Sequence, residues 1–393
     1  MTSISSGLRP RQKEPVSARD LSSQLNERTR GMRLAGEAAI AEEFRGVTAQ
    51  GQLAAGLFPI ERTGASTQPV RAAADAYLQS LEGSARAAAT FPVDSDVWRR
   101  WSNVHMFLMR HGVSLEDMSA GQRDKALRLM QQTLSPAGYE TARSIMKLNE
   151  TIREITGRDI EFGEWPYWIS VMGEPSEDAP WGWQIDGHHL IINCFVLGDQ
   201  VVLTPMFMGS EPTAATTGKY AGVRVFEQED KCGLQLVQSL SPGQKSKAVL
   251  SSELPDEVFA AAFRDNFDLG YQGIRLDGLS VGQKELATAL IETYVRRLRS
   301  AHDEVWMAAV RRRLDETYFA WMGGTEDEDV FYYRVHSPVI LIEFDHLRGI
   351  ALENDVPTRD HIHTVVRTPN GNDYGKDLLR QHYERQEHHR TPS

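Results

Sequence analysis

The chain reads WGWQIDGHHLIINCFVLGDQVVLT from Trp181 to Thr204. β-Branched and aromatic residues, which favour strands, dominate this stretch and predict one long strand from Trp183 to Val196. The Gly-Asp pair at positions 198 and 199 is typical of a tight hairpin turn, after which Val201 begins a returning strand. The stretch therefore predicts an antiparallel hairpin in the middle of the chain.

A second group of strand-like segments lies near the C-terminal end. The first group consists of the strand-like segment Tyr167–Val171 and the hairpin described above. The later segments are Tyr318–Met322, Phe331–His336, Val339–Asp345 and His361–Arg367. Because helical segments separate the two blocks, at about 165–205 and 318–367, the sequence predicts an α+β fold. Its mixed or antiparallel sheet would be built from both blocks and packed with helices.

Helices are predicted in the N-terminal part and between the strand blocks. An apolar period near 3.6 recurs through residues 33–160. Further helices are predicted at 226–239, 242–251, 255–264, 281–298, 301–314 and 375–385. Ser119, Ser241 and Ser280 are each followed three residues later by Gln, which is the spacing of a capping box at a helix start.

The composition is that of a soluble globular protein. Residues 31–386 are predicted to form one α+β domain, between a disordered or loosely packed arm (1–30) and a polar tail (387–393). The net charge of −11 disfavours binding to nucleic acid or to anionic membranes. Neither a secretory signal nor an 18-residue apolar span is found, so a cytoplasmic location is expected. Two cysteines are too few for a disulfide framework or a thiolate zinc site.

Four histidines on the predicted strands are candidates for metal binding. Imidazole is the commonest protein metal ligand. His361 and His363 are two residues apart, so on a strand their side chains share a face and could reach one ion. His188 and His189 would point to opposite faces of a regular strand, which favours His189 alone as a third ligand. A kink at Gly187 could re-aim either ring.

Carboxylates and arginines accompany these histidines. Glu343 follows an apolar β-branched run, and buried carboxylates are rare unless they are paired or bind metal. Glu343 and Asp186 are therefore candidate general bases, and Glu343 is also a candidate ligand. His336 is a further candidate ligand, with a hydrogen-bonded core histidine as the alternative. Arg334 or Arg367 could hold an anionic substrate group, or could belong to a structural ion-pair network.

Several motifs together resemble the DUF3500 family, a domain of unknown function. They are PWGWQIDGHHL (180–190), TPMFMGSEP (204–212), YRVH (333–336), LIEFD (341–345), HIHT (361–364) and NDYG (372–375). The resemblance covers about residues 70–386. It implies that the Gly-His-His block, the His-x-His pair and the Glu-Phe-Asp carboxylates belong to one site, but it implies no particular reaction.

These observations lead to the hypothesis of a metal-dependent enzyme that acts on a small, anionic molecule. A single zinc, iron or copper ion would leave one coordination position open for water or substrate, and hydrolysis is the favoured reaction. The alternatives are an iron- or copper-dependent oxidoreductase, a metal-free acid–base enzyme, and a binding or structural protein with a buried histidine network. The sequence contains no nucleotide-binding motif and predicts no oligomeric state.

Overall fold

The computed structural model describes residues 8–11, 27–103 and 110–390. In these ranges the helices are α1 (Glu27–Ala41), α2 (Gln68–Gln79), α3 (Gly83–Ala89), α4 (Ala120–Thr133), α5 (Pro136–Thr156), α6 (Glu227–Ser239), α7 (Pro242–Ala248), α8 (Val281–Val295), α9 (His302–Arg312) and α10 (Lys376–Arg390). The strands are β1 (Thr90–Phe91), β2 (Val113–Ser114), β3 (Tyr167–Met172), β4 (Trp181–Gly187), β5 (Leu190–Leu197), β6 (Gln200–Val202), β7 (Met206–Ser210), β8 (Val249–Ser251), β9 (Ile274–Arg275), β10 (Tyr318–Gly323), β11 (Phe331–His336), β12 (Leu341–Leu347) and β13 (Thr358–Arg367).

The strands found in these ranges form one 13-stranded sheet. Their order is β1-β3-β4-β5-β7-β13-β12-β11-β10-β8, with β2, β6 and β9 paired to β3, β5 and β10. Most neighbours are antiparallel, whereas β1 with β3 and β10 with β8 are parallel. The two strand blocks meet at the seam, where β7 pairs with β13. The predicted α+β fold with a mixed sheet is confirmed.

The two faces of the sheet differ in polarity. One face packs its apolar side chains against α4, α5, α6 and α8 in the main core. The opposite face, here called the polar face, carries Arg334, Glu343 and His363 on three neighbouring strands, all of them buried. Largely irregular segments near residues 47, 98 and 258 cover this polar face through a second apolar cluster. Alternation of side chains along each strand thus separates the core from a buried polar layer.

All three predicted capping boxes are present. Ser119 begins α4, Ser241 begins α7 and Ser280 begins α8. In each box the serine side chain accepts from the backbone N–H three residues later. The glutamine side-chain oxygen accepts in turn from the backbone N–H of the serine. The motif is local, so it needs no tertiary information to be recognised.

The long strand predicted from Trp183 to Val196 is wrong, because it is interrupted by a turn. β4 ends at Gly187, which pairs with Leu190, and His188 and His189 form the two-residue loop between them. His189 has a φ of +63°, a conformation that few residues other than glycine adopt. The second hairpin turn, predicted at Gly-Asp 198–199, is confirmed by the pairing of β5 with β6.

The helix predicted at 255–264 is also wrong. This covering segment (residues 255–264) crosses the polar face without regular structure. The backbone N–H groups of Phe259 and Ala260 donate to the Glu343 carboxylate at 2.6 and 2.8 Å. The carbonyl oxygen of Ala260 accepts from Nε of Arg367 at 3.0 Å. Because side chains of the sheet satisfy these backbone groups, the segment does not need helical hydrogen bonds.

The described ends of the chain contact or extend the domain. Pro10 bridges Leu352, and Arg11 forms an ion pair with Asp355 at 2.9 Å. The remainder of the predicted N-terminal arm before α1, residues 1–7 and 12–26, lies outside the described residues. At the other end, α10 continues to Arg390, into the stretch predicted as a polar tail. Within the described ranges, none of the helices combines the length and the apolar character needed to cross a membrane.

Candidate metal centre

Three imidazole rings meet on the polar face at the seam. His189 comes from the turn between β4 and β5, and His361 and His363 come from β13. The Nε2 atoms of His361 and His363 are 3.1 Å apart. Nε2 of His189 lies 3.0 Å from that of His363 and 3.4 Å from that of His361. We call these three Nε2 atoms the histidine triangle; all three residues are buried.

The outer ring nitrogens determine the tautomers of two of these histidines. Nδ1 of His361 lies 2.7 Å from the carbonyl oxygen of Arg348, which can only accept, so this Nδ1 carries a proton. Nδ1 of His363 lies 2.7 Å from the Glu257 carboxylate and is protonated for the same reason. Burial lowers the pKa of His361 to about 4, which keeps this ring neutral near pH 7. Its Nε2 therefore presents a lone pair to the triangle.

The histidine triangle has the dimensions of a metal site. Tetrahedral coordination with Zn–N bonds of about 2.0–2.1 Å separates the nitrogens by about 3.3 Å. The observed separations run from 3.0 to 3.4 Å. With such bonds, the three Nε2 atoms would serve as three of the four ligands of a tetrahedral site. The buried histidines His189, His361 and His363 could therefore hold a metal ion.

A pair of carboxylates lies behind His363. Glu257, from the covering segment, accepts from Nδ1 of His363, and Asp345, opposite His363 on β12, accepts from its backbone N–H at 3.2 Å. Burial raises the pKa of Asp345 well above its usual value, and the charge of Glu257 adds to this effect. Burial acts to raise the pKa of Glu257 too, but His363 and His361 outweigh it and lower that pKa. Glu257 is therefore the charged partner that orients His363, as carboxylates do behind metal-bound histidines.

Replacing Glu257 with glutamine should weaken metal binding without removing a ligand. The variant loses the charge that fixes the tautomer and orientation of His363, so we expect metal affinity to fall about 10- to 100-fold. Zinc titration against a competing chelator measures this change. Glu253→Gln, an exposed site four residues earlier, is the matched control and should bind metal normally. Equal affinities in the two variants would contradict the role assigned to Glu257.

Gly209 provides the space in which two of the rings meet. It lies opposite His363 on β7, and its N–H donates to the carbonyl oxygen of His189 at 2.8 Å. A Cβ atom at this position would lie 2.8 Å from Cδ2 of His363 and 3.1 Å from Cδ2 of His189. The absence of a side chain therefore lets both imidazoles pack directly over the strand.

Replacing Gly209 with alanine should disturb the triangle and the seam together. The added methyl group forces the rings of His189 and His363 aside, and overpacking of this kind costs about 1–3 kcal/mol. We expect a lower free energy of unfolding in denaturant titration and weaker zinc binding. Gly282→Ala on α8, where nothing lies within 4 Å of the added atom, should leave both unchanged or slightly raise stability. A Gly209→Ala variant that binds zinc like the unmodified protein would contradict this prediction.

His188 lies beside the triangle and not within it. Its ring stacks on that of His189 with centroids 3.9 Å apart, so the two rings do not point to opposite faces as expected for a regular strand. Nδ1 of His188 bonds to Oδ1 of Asn149 at 2.7 Å. The Asn149 amide donates in turn to the carbonyl oxygen of Gly163 at 2.6 Å, which directs its oxygen toward His188. His188 is therefore placed to support the ring of His189.

Glu343 lies on the same face as the histidines but not among them. It pairs with Val365, two residues along β13 from His363. Besides the two backbone N–H groups of the covering segment, its carboxylate accepts from the hydroxyl of Tyr332 at 2.8 Å. Burial raises the pKa of Glu343, and Arg334 acts to lower it. Glu343 was expected to be a metal ligand or a general base. In the structure its carboxylate instead accepts hydrogen bonds from the covering segment and from Tyr332.

Two other predicted site residues lie away from the triangle. Asp186 accepts from the backbone N–H of Ser102 at 3.4 Å, and burial raises its pKa well above the usual value. His336 stands at the end of β11, where its ring lies 4.6 Å from that of Tyr271. Burial, with a contribution from Arg334, lowers the pKa of His336 to about 3. In the described part of the chain, neither side chain belongs to the histidine triangle or to the second group of possible metal ligands, Glu257, Asp345 and His363.

The two predicted anion-binding arginines differ sharply. Arg367 forms ion pairs with Asp265 at 2.7 Å and Asp373 at 3.2 Å, and also donates to backbone carbonyls of the covering segment. Arg367 therefore belongs to a structural ion-pair network, which was the alternative to binding an anionic substrate group. Arg334 donates to Oε1 of Gln272 at 2.8 Å, and its Nε and Nη1 have no hydrogen-bond partner among the described residues.

Sequence reasoning missed Glu257 and Gly209. Glu257 lies in the segment 255–264, which was predicted to be a helix. The residues around Glu257 give no sign that its partner is His363, more than 100 residues away. Gly209 carries a weak signal, because a glycine inside the strand-like run Met206–Ser210 often marks a close approach of another group.

The sequence matches one known family. The model of DUF3500, described as a protein of unknown function, matches residues 63–376. Comparisons with curated proteins and with solved structures found no match. The matched range contains the whole histidine triangle, Glu257 and Gly209. Because the match extends over most of its length, the chain belongs to the DUF3500 family.

Proposed function

We propose that this protein is a metal-dependent hydrolase that acts on a small molecule. The observation that carries the proposal is the convergence of the Nε2 atoms of His189, His361 and His363 within 3.4 Å of one another. Two of these rings hold their proton on Nδ1, so their Nε2 lone pairs face each other across 3.1 Å. Such an arrangement is unfavourable unless a cation or a shared proton lies between them.

The composition of the ligand set favours hydrolysis over oxidation. Three imidazoles with an open fourth position are typical of catalytic zinc sites, whereas non-haem iron sites commonly add a carboxylate and blue-copper sites a thiolate. In the described residues the carboxylates of Glu257 and Asp345 stand behind His363 and do not join the triangle, and both cysteines, Cys194 and Cys232, are buried elsewhere. A bound zinc ion would supply a water molecule that ionises near pH 7.

The protein's own groups hold the three rings rigidly. Glu257 orients His363, the carbonyl of Arg348 orients His361, and the ring of His188 stacks on His189. These outer partners would keep the three nitrogens in place to hold one ion and would reduce the reorganisation needed when substrate binds. The substrate is proposed to carry an anionic group, since Arg334 keeps free donors on the same face of the sheet.

Metal analysis of protein purified without a histidine tag tests this proposal. We expect about one zinc ion per chain, and loss of hydrolysis of activated carboxylic and phosphoric esters after chelation, with recovery on adding zinc. Stoichiometric iron or copper would instead support an oxidoreductase on the same ligands. A folded protein that takes up none of these metals would overturn the proposal in favour of a metal-free histidine network.

A further inference from the structure

Arg334 is a buried cation that forms no direct ion pair among the described residues. Its side chain is about 1% exposed, and its guanidinium is permanently charged. Glu343 faces it across the β11–β12 pair, but that carboxylate is bonded to the covering segment and to Tyr332 and forms no ion pair with Arg334. Buried charges are normally paired, because removing an ion from water is expensive. The charge of Glu343 therefore acts on Arg334 without a direct ion pair, and Nε and Nη1 of Arg334 have no hydrogen-bond acceptor among the described residues.

His336 adds a second set of unused polar atoms at the same place. It follows Arg334 by two residues on β11, so the two side chains share the polar face. Its ring is also about 1% exposed, and neither nitrogen has a hydrogen-bond partner in the described part of the chain. A neutral imidazole offers one N–H donor and one acceptor. Arg334 and His336 thus present several unsatisfied donors to one small region.

Arg367 is a buried arginine whose charge is compensated within the chain, and it serves as a comparison for Arg334. It lies on the same face, two strands away, and is as deeply buried as Arg334. There the chain supplies two carboxylates, Asp265 and Asp373, and two carbonyl oxygens as partners. The contrast argues that the free donors of Arg334 serve a group that is not part of the chain.

We propose that Arg334 and His336 bind the oxyanion of a small molecule, either a carboxylate or a phosphate. Such a group accepts hydrogen bonds from the guanidinium and from the imidazole N–H, and its charge compensates Arg334. The site lies just below the surface, because Gln272, which accepts from Arg334, is exposed.

Aromatic rings line the same region and fit the remainder of such a ligand. Tyr271 stacks on Tyr318 with ring centroids 5.1 Å apart and lies 4.6 Å from His336. The ring of Phe259 lies 5.8 Å from the Arg334 guanidinium. The ligand class is therefore a small organic acid or phosphate ester with a flat or apolar body. As a substrate anchor this site rests on the proposed function, whereas its affinity for an oxyanion does not depend on a metal.

Titration with acetate and with inorganic phosphate, at constant ionic strength, tests the site by calorimetry and by the shift in Tm. We expect saturable binding of one of them at one site per chain, and the preferred anion identifies carboxylate or phosphate chemistry. Affinity should fall at least about tenfold in Arg334→Gln and in His336→Asn. Arg275→Gln, an exposed arginine on the adjacent β9, should bind like the unmodified protein.

One further measurement separates this proposal from the metal proposal. His363→Ala should keep the anion affinity even after losing metal, because the anion site does not use the triangle. If Arg334→Gln does not fold, His336→Asn, which retains the arginine, decides the question alone. Absence of saturable binding of both anions, or an affinity unchanged in the foldable variants, would overturn the proposal.

Discussion

Replacing His363 with alanine should leave the protein without bound metal. His363 contributes one corner of the histidine triangle, and its Nε2 lies within 3.1 Å of both other Nε2 atoms. Two histidines alone bind a divalent ion weakly, so we expect affinity to fall more than about 100-fold, beyond the usual effect of changing an outer partner. Elemental analysis after dialysis measures the stoichiometry, which should drop from about one ion per chain to nearly none.

The matched control is His302→Ala. His302 is also a buried histidine, but its Nε2 contacts the backbone carbonyl of Ser66 at 3.3 Å and lies outside the triangle. This variant should retain metal in full. Far-UV circular dichroism of both variants shows whether the fold is kept, since loss of metal from an unfolded chain proves nothing about ligands. A folded His363→Ala protein with stoichiometric metal would exclude the triangle as the metal site.

Replacing Arg367 with methionine should have the largest effect on stability. The side chain is fully buried and compensates Asp265 and Asp373, which are themselves buried. It also holds the backbone of the covering segment through Ala260 and Ala261. Removing one partner of a buried ionic network leaves uncompensated charge, which typically costs about 3–5 kcal/mol. Denaturant unfolding should show this loss, whereas Arg313→Met, at a half-exposed ion pair with Glu316, should cost less than about 1 kcal/mol.

The loss in Arg367→Met should depend on pH. Burial raises the pKa of Asp373 from about 3.8 to about 6, although Arg367 acts to lower it. The folded state therefore binds more protons than the unfolded state between these values, so this group makes folding less favourable as pH rises through that window. Without Arg367 the pKa of Asp373 rises further and the window extends upward. We expect the variant to be destabilised more at about pH 8 than at about pH 5; equal losses at both would contradict this account.

Local patterns in the sequence predicted much of the secondary structure. The three capping boxes, the Gly-Asp hairpin turn and the strand Phe331–His336 all depend on residues close together in the chain. The covering segment shows the limit of this reasoning. Its apolar spacing resembles a helix, but its backbone groups form hydrogen bonds with Glu343 and Arg367, which lie 83 to 107 residues later in the chain. Distant side chains that replace helical hydrogen bonds leave no local signal.

The candidate site was predictable only in part for the same reason. A residue such as Glu257, which stands behind a ligand, has no characteristic spacing relative to it. The two arginines also look alike in sequence, since each follows an apolar or aromatic residue within a predicted strand. Only the partners that the fold supplies distinguish them. Among the described residues, Arg367 forms ion pairs with two aspartates, whereas Arg334 donates to the amide oxygen of Gln272 and keeps Nε and Nη1 without a hydrogen-bond partner.

The sequence by itself determined the strand blocks, the α+β class and the shared face of His361 and His363, because side chains two apart on a strand point the same way. The tertiary structure alone decided that His189, 172 residues before His361, completes the triangle. That contact requires β7 to pair with β13 and a glycine at position 209 beneath both rings. The pairing of strands that are distant in the sequence depends on packing across the whole sheet, so it cannot be recognised from a local pattern as a hairpin turn can.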